Sequence, residues 1–387
     1  MSTQRNISSY ILLATLSIIP LLRFSIEDPL LTRGTWRELV IIFAAIIVII
    51  ILNYKNVHQK NIKVALISLA IIFISAGLSI QHPNLLSIIY LFLGILVTTA
   101  IATSINKKNI SFLILSVIAC ACLYAQWSTA QFILQHDLGL SKIGESILTI
   151  NTAGVASFYI HDTKLIRGYG PFSHANLLGG ILALGIILLT VVWKTIKPPI
   201  SYSLLCILLL GLVTSFSRTA IASVLLLGIV MFIWRKQRIF IIGLIAITIL
   251  FLPLLIMRST DSRDVSVHDR VEGLTWARNL TTQKSFIRGL GLGNYQRVLA
   301  TYLNKNSIAH YAWDIAPVHS VPVFIIMEVG IVISILLAIT FLYFIIKYKA
   351  WIFLVILPTI LFDHYFATQI GALTWLILCA IILSRVY

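Results

Sequence analysis

The stretch at 214–221, TSFSRTAI, places one arginine, Arg218, between the apolar runs SYSLLCILLLGLV and IASVLLLGIVMFIW. A guanidinium presents a planar fork of N–H donors that matches phosphate and carboxylate oxygens bidentately. Ser217 suits an N-cap position, so the following helix is expected to start at Arg218 or Thr219. The positive end of a helix is mildly unfavourable for a cation, but with an anion present the free N–H groups and the guanidinium converge on one ligand. The alternative reading has Arg218 snorkelling to lipid headgroups. His319 and Glu328 share the segment VHSVPVFIIMEVGI. Ser320 is a candidate cap and Pro322 fits an early helical position, so His319 opens a helix whose positive end favours neutral imidazole. Neutral imidazole can take the proton of a hydroxyl; the alternative is an interfacial histidine facing water. Glu328 is a carboxylate inside an apolar run, which is costly unless it faces the protein interior or a wet cavity. Orienting other polar groups accounts for it as well as direct chemistry does.

Three more stretches carry polar groups of interest. HDRVEGLTWARNLTTQKSFIRGLGLGNYQ supplies Arg270 and Arg288 for phosphate, and Trp276 and Tyr295 as rings that can either stack on sugar faces or pack in a core. RGYGPFSHANLLGG adds Arg167, His174 and Asn176 at the mouth of an apolar run. LFDHYFATQIG puts Asp363 and His364 at another turn. Polar residues thus gather at the ends of several apolar segments, which suggests one shared outward cavity.

The elements that must position these residues are membrane helices. The chain has 387 residues, of which 59% are hydrophobic and only 11% charged, with a mean hydropathy of +0.98. A soluble chain cannot bury that much apolar surface, so lipid is its main solvent. Backbone polar groups in lipid must be satisfied within the segment, and alternating barrel strands are absent, so the long runs read as helices. Spans need roughly 20 apolar residues. Candidates fall near 8–24, 38–53, 62–80, 85–104, 110–134, 174–193, 200–215, 218–234, 239–257, 319–346, 350–366 and 368–385. The first run lacks a small-residue cleavage site and reads as a retained helix.

Loop charges give the orientation. Alternate loops hold Lys55, Lys60 and Lys63, then Lys107 and Lys108, then Lys194 and Lys197, then Arg235, Lys236 and Arg238, then Lys347 and Lys349, with no acidic residue among them. Short basic loops stay cytoplasmic, which predicts both termini inside and the long loops outside. The expected organisation is N-terminal transmembrane helices over 1–134, then a transmembrane core over 135–257 with an outer loop at 135–173. A large, partly helical outer loop follows over 258–318, and C-terminal transmembrane helices over 319–387. The outer loop is rich in arginine and lysine, which suggests an anionic ligand there; a solvated mixed-charge loop is the alternative. Cys120, Cys122, Cys206 and Cys379 all lie in apolar runs without metal-ligand spacing and read as small buried hydrophobes. No Walker loop and no HExxH motif occurs, and GLGLGN at 289–294 lacks the strand–helix frame of a dinucleotide fingerprint. No metal, cofactor or nucleic acid is expected.

Four of these pieces, GPFSHANLLGG, TSFSRTA, HDRVEGLTWARN followed by IRGLGLGNYQ, and VHSVPVFIIMEVGI, stand in an order that resembles the O-antigen ligase and polymerase superfamily of bacterial envelope glycosyltransferases. The likeness covers about 167–332; the first five helices match in hydropathy alone. It implies an all-α, polytopic, type C glycosyltransferase-like fold in the bacterial inner membrane, with the active site facing the periplasm. It also implies metal-independent, inverting transfer of a glycan from an undecaprenyl-pyrophosphate carrier to an acceptor hydroxyl. On that resemblance Arg218 and Arg270 hold the pyrophosphate and His319 assists the acceptor, while Glu328 and Gly330 match a Glu-x-Gly pattern. Arg288, Arg167, His174, Asn176, Trp276 and Tyr295 are the further candidate binding residues. The family usually has His-Asn where this chain has His319-Ser320, which puts the acceptor site in doubt.

Several functions stay open at this point. A ligase would join O-antigen to lipid A-core, and a polymerase would extend a growing glycan. A protein O-glycosyltransferase often carries extra soluble sequence after its last helix, and this chain stops at Tyr387. A transporter or lipid flippase is the rival from another class, although repeat symmetry and broken midplane helices, its usual signs, are not evident.

Overall fold

The computed structural model describes residues 110–141, 145–152, 154–160, 163–235, 256, 266–308, 315–347 and 352–363. The expected spans at 8–24, 38–53, 62–80, 85–104 and 368–385 lie outside the described residues, as does that at 239–257 apart from Ile256.

The described chain is mostly helical. Helix α1 is Ile110–Leu134, α2 Ala175–Val192, α3 Pro198–Ser215 and α4 Arg218–Arg235. The segment beyond holds α5 (Ser266–Leu280), α6 (Gln283–Arg288) and α7 (Tyr295–Lys305). Helix α8 runs Val321–Lys347, and two short helices, α9 (Ile352–Val355) and α10 (Leu357–Phe362), follow. Among the described residues, four helices are long and apolar enough to cross a membrane: Ile114–Leu134, Ala175–Thr195, Pro198–Ser215 and Val321–Tyr343. They make this a membrane-associated protein. The stretch 218–234 carries a shorter apolar helix, Arg218–Met231.

Two elements depart from the expected picture. The loop at 135–173 contains an antiparallel hairpin, β1 (Ser157–Ile160) and β2 (Thr163–Ile166), so the chain is not purely α-helical. The stretch 350–366, expected as one span, is broken between α9 and α10 and ends in extended backbone at Asp363. Pro358 lies in the first turn of α10, where its missing N–H costs nothing; one continuous helix would have put it in an interior position.

Helix α2 is the centre of the packing. It lies against α1, α3 and α4, and nearly all of its residues are buried. Close approach depends on small side chains: a Cβ on Gly185 would press on Ala121, and one on Gly211 would press on Ala125. In lipid such contacts replace the hydrophobic drive that water would supply. Helices α4, α9 and α10 pack together, with Ser223 Oγ and Thr359 Oγ1 3.0 Å apart. Leu123, Ile133, Leu210 and Ile229 remain exposed on the outer faces, as lipid-facing residues should. Cys206 is exposed rather than buried.

A second, smaller core joins α5, α7 and the start of α8 through Ala277, Leu290, Tyr295, Leu299, Leu303, Val318 and Met327. Here α8 is kinked at Gly330 (φ 80°, ψ 164°), in a region of backbone space that only glycine adopts readily. The kink leaves carbonyls of α8 without their helical N–H partners. Leu290 N–H donates to the Met327 carbonyl at 2.8 Å and Gly291 N–H to the Glu328 carbonyl at 2.9 Å. The glycine-rich loop 289–294 thus completes the broken helix. Gly289 lies on the backbone of Glu328, Val329 and Gly330, and a side chain at either Gly289 or Gly330 would collide with the facing main chain.

Candidate functional site

The turn between α3 and α4 is the seed of the site. Helix α3 ends with Phe216 in the left-handed region (φ 48°), an unusual conformation for a bulky residue. Its buried ring packs against Phe158 of the hairpin, with centroids 4.0 Å apart, and against Phe132. The last carbonyls of α3 are met from the strand β2 exit. Gly168 N–H donates to the Thr214 carbonyl at 2.8 Å, and Arg167 Nε donates to the Ser215 carbonyl at 2.7 Å. A cation at a helix C-terminus is favourably placed, and Arg167 is buried, at 3% exposure.

From Arg167 a chain of polar contacts crosses the molecule. Arg167 Nη2 donates to Asn176 Oδ1 at 2.6 Å. Asn176 Nδ2 donates to Asp363 Oδ2 at 3.0 Å, and Thr219 Oγ1 donates to the same oxygen at 3.3 Å. Arg270 Nη2, arriving from α5, lies 3.9 Å from that oxygen. Asp363 is buried. The cluster therefore joins the start of α2, the end of α3, the start of α4, the first turns of α5 and the end of α10. Its carboxylate lies at the positive end of α4, where a negative charge is stabilised. Arg270 Nε is buried and makes no hydrogen bond. A buried unpaired donor is costly and marks a place where an acceptor would be gained.

Arg218 opens α4 as expected, half-buried and directly before Thr219. Ser217 occupies the N-cap position through its carbonyl, which accepts from Ile221 N–H at 2.9 Å. Its hydroxyl, expected to cap the helix, makes no hydrogen bond and is buried. His174 caps α2 instead: its Nδ1 accepts from Asn176 N–H at 3.1 Å. Asn176 and Arg270 thus meet at Asp363, Arg167 and His174 touch Asn176, and Arg218 directly precedes Thr219, which also bonds Asp363.

Glu328 and Tyr295 form a second group. Glu328 accepts hydrogen bonds from Gly293 N–H and from Tyr295 N–H, the latter at 2.9 Å. It anchors the glycine loop and the first turn of α7. Tyr295 is 1% exposed, with its ring edge-on to Phe324. Burial raises its phenol above the ordinary value, and the neighbouring Glu328 adds to this. Trp276 packs against the same small core, and Arg288 is exposed at the end of α6. His319 is half-buried two residues before α8, with Ser320 at the cap position and Pro322 in the first turn. Glu328, Tyr295 and Trp276 thus belong to the glycine loop and the small core.

The sequence placed Asp363 among the polar residues of a shared cavity without assigning it a binding partner, and offered Thr219 only as a possible helix start. The signal for Asp363 was present: a carboxylate at the end of an apolar run needs a donor or a cation. A further buried carboxylate, Glu145, organises the loop after α1. It accepts from Trp127 Nε1, Gln131 Nε2, Leu138 N–H and Leu140 N–H. Burial alone would raise its carboxyl, but these four donors outweigh it and hold the group below its ordinary value. No known family's sequence profile matches the chain, and no curated protein matches it at a significant level.

Proposed function

We propose that this protein transfers a glycan from undecaprenyl pyrophosphate to an acceptor hydroxyl at the periplasmic face of a bacterial inner membrane. The observation that carries the reading is the arrival of Arg270, from a distant helix, at the carboxylate shared by Thr219 and Asn176. Arg270 and Arg167 belong to this cluster together with the carboxylate of Asp363, and Arg218 adjoins it through Thr219. A diphosphate leaving group develops negative charge as the sugar bond breaks, and cations already in place stabilise that charge best where water is scarce. The unpaired Nε of Arg270 supplies a donor for it.

In this reading the acceptor oxygen attacks the anomeric carbon as the bond to the diphosphate oxygen breaks, with inversion. The bonding pair leaves with the diphosphate, which Arg218 and Arg270 neutralise. His319 takes the acceptor proton. The resemblance favours an O-antigen ligase acting on lipid A-core and a metal-independent reaction. Ser320, standing where that family usually has asparagine, weakens that preference and keeps a polymerase acting on a growing glycan as the alternative.

The test is complementation of a strain lacking the protein. Arg218→Ala, Arg270→Ala and His319→Ala, each inserted normally, are expected to lower transfer by about 100-fold or more. Normal surface glycan from the variants would refute the site. In the deletion strain, core bearing a single repeat means a lost polymerase, and polymer stranded on the carrier means a lost ligase. Solute or carrier flux in vesicles without glycosyl transfer would point to a transporter.

A further inference from the structure

The face of α5 that turns away from the protein is apolar. Val267, Val271 and Leu274 are exposed, at 54%, 57% and 42%. Their i, i+4, i+7 spacing makes one continuous stripe. The packed side of the same helix is held by Ala277 in the small core and by Arg270 at Asp363. Helix α6 continues the surface: Phe286 and Ile287 are exposed at 43% and 48%. Between Leu274 and the end of α6, Arg278, Lys284 and Arg288 are the charged residues, and no acidic residue accompanies them. All three are exposed. A protein region surrounded by water does not leave such a stripe uncovered without a reason.

Two contacts set the level of this surface relative to the bilayer. Arg270 ties the first turns of α5 to a cluster that includes the start of α2 and the end of α3, two helices long and apolar enough to cross a membrane. At the other end, Gly289, which closes α6, lies on the backbone of Gly330 in the membrane-spanning helix α8. Directly beyond Gly330, Val332, Ile335, Leu336 and Ile339 are exposed and face lipid. The apolar residues of α6 therefore lie beside the exposed apolar surface of a helix long enough to cross a membrane.

We infer that α5 and α6 form an interfacial surface that lies in the lipid leaflet on their side of the membrane. The occupant is that leaflet: acyl chains take Val267, Val271, Leu274, Phe286 and Ile287, and anionic headgroups take Arg278 and Lys284. Helices with this division, apolar on one face and basic at its border, bury themselves at the headgroup boundary. Basic groups beside anionic headgroups strengthen such binding. This surface does not depend on the glycan-transfer reading, because any membrane protein with these contacts would hold α5 at the same level.

The test uses the full chain with its four cysteines replaced, reconstituted in nanodiscs of phosphatidylethanolamine and phosphatidylglycerol. Spin labels are placed singly at Val271→Cys, Leu274→Cys and Phe286→Cys, and at Asp269→Cys on the opposite side of α5. Ile287→Cys replaces Phe286→Cys if that variant does not reconstitute. Collision with oxygen relative to a water-soluble nickel chelate is expected to be several-fold higher at 271, 274 and 286 than at 269. Equal ratios at all sites would show the stripe to be in water and end the inference. Low collision with both reagents would show that protein, from this chain or a second copy, covers the stripe, and would also overturn it. In phosphatidylcholine discs the labels are expected to become shallower; unchanged depth would remove the role given to the basic border.

Discussion

Asp363 carries more of the site than its position in the sequence suggests. One of its oxygens receives the Asn176 amide and the Thr219 hydroxyl and pairs with Arg270. Asp363→Asn keeps the shape but removes the charge that fixes Arg270. It is expected to lower stability by about 2 kcal/mol, below the cost of breaking a fully buried pair because Arg270 is part-exposed. Thermal unfolding in detergent checks this, with transfer expected to fall at least tenfold in the same variant. Glu145 gives a pH prediction of definite sign. Its folded carboxyl lies below the ordinary value, so its contribution is complete above the unfolded value near ~4.3. That contribution is lost as pH falls through the folded value. Glu145→Gln is expected to cost about 3 kcal/mol at neutral pH, because donors lose a charged acceptor, and to flatten the acid limb of the stability profile. An unchanged acid limb would show that Glu145 does not set it.

At the scale of elements, the junction of α6 and α8 is the most constrained part of the described chain. Gly330 permits the kink, the loop N–H groups fill the carbonyls it frees, and Gly289 allows the two backbones to meet. Gly330→Ala is expected to cost about 2–4 kcal/mol, from both a forbidden backbone region and a collision. Hydrogen exchange at Leu290 and Gly291 should speed up first, and unchanged protection there would contradict the account. The Glu-x-Gly spacing in the sequence pointed to this helix without showing that the glutamate faces a loop. The aromatic contacts that hold Phe216 in place were equally hidden, since Phe132, Phe158 and Phe216 lie far apart along the chain.

For the whole molecule, the alternation of basic loops predicts that the α2–α3 connection and the α5–α7 region face opposite sides of the membrane. In a cysteine-free background, Gln283→Cys is expected to react with an impermeant thiol reagent on intact spheroplasts, and Lys197→Cys only after permeabilisation. Labelling of both from one side would overturn the orientation and, with it, the proposal of a periplasmic site.

The sequence by itself determined that this is a helical membrane protein, where four of its spans run, and that helices begin at Arg218 and close after His319. Those features follow from local apolar periodicity, capping and the length needed to cross lipid, all of which act over one segment. The tertiary structure alone decided which polar residues share a site and which only brace the fold. It put Asp363 beside Arg270, and it turned Glu328 toward a glycine loop. Such pairings join residues up to 187 positions apart. They depend on how closely helices with small side chains approach one another, which no local pattern encodes.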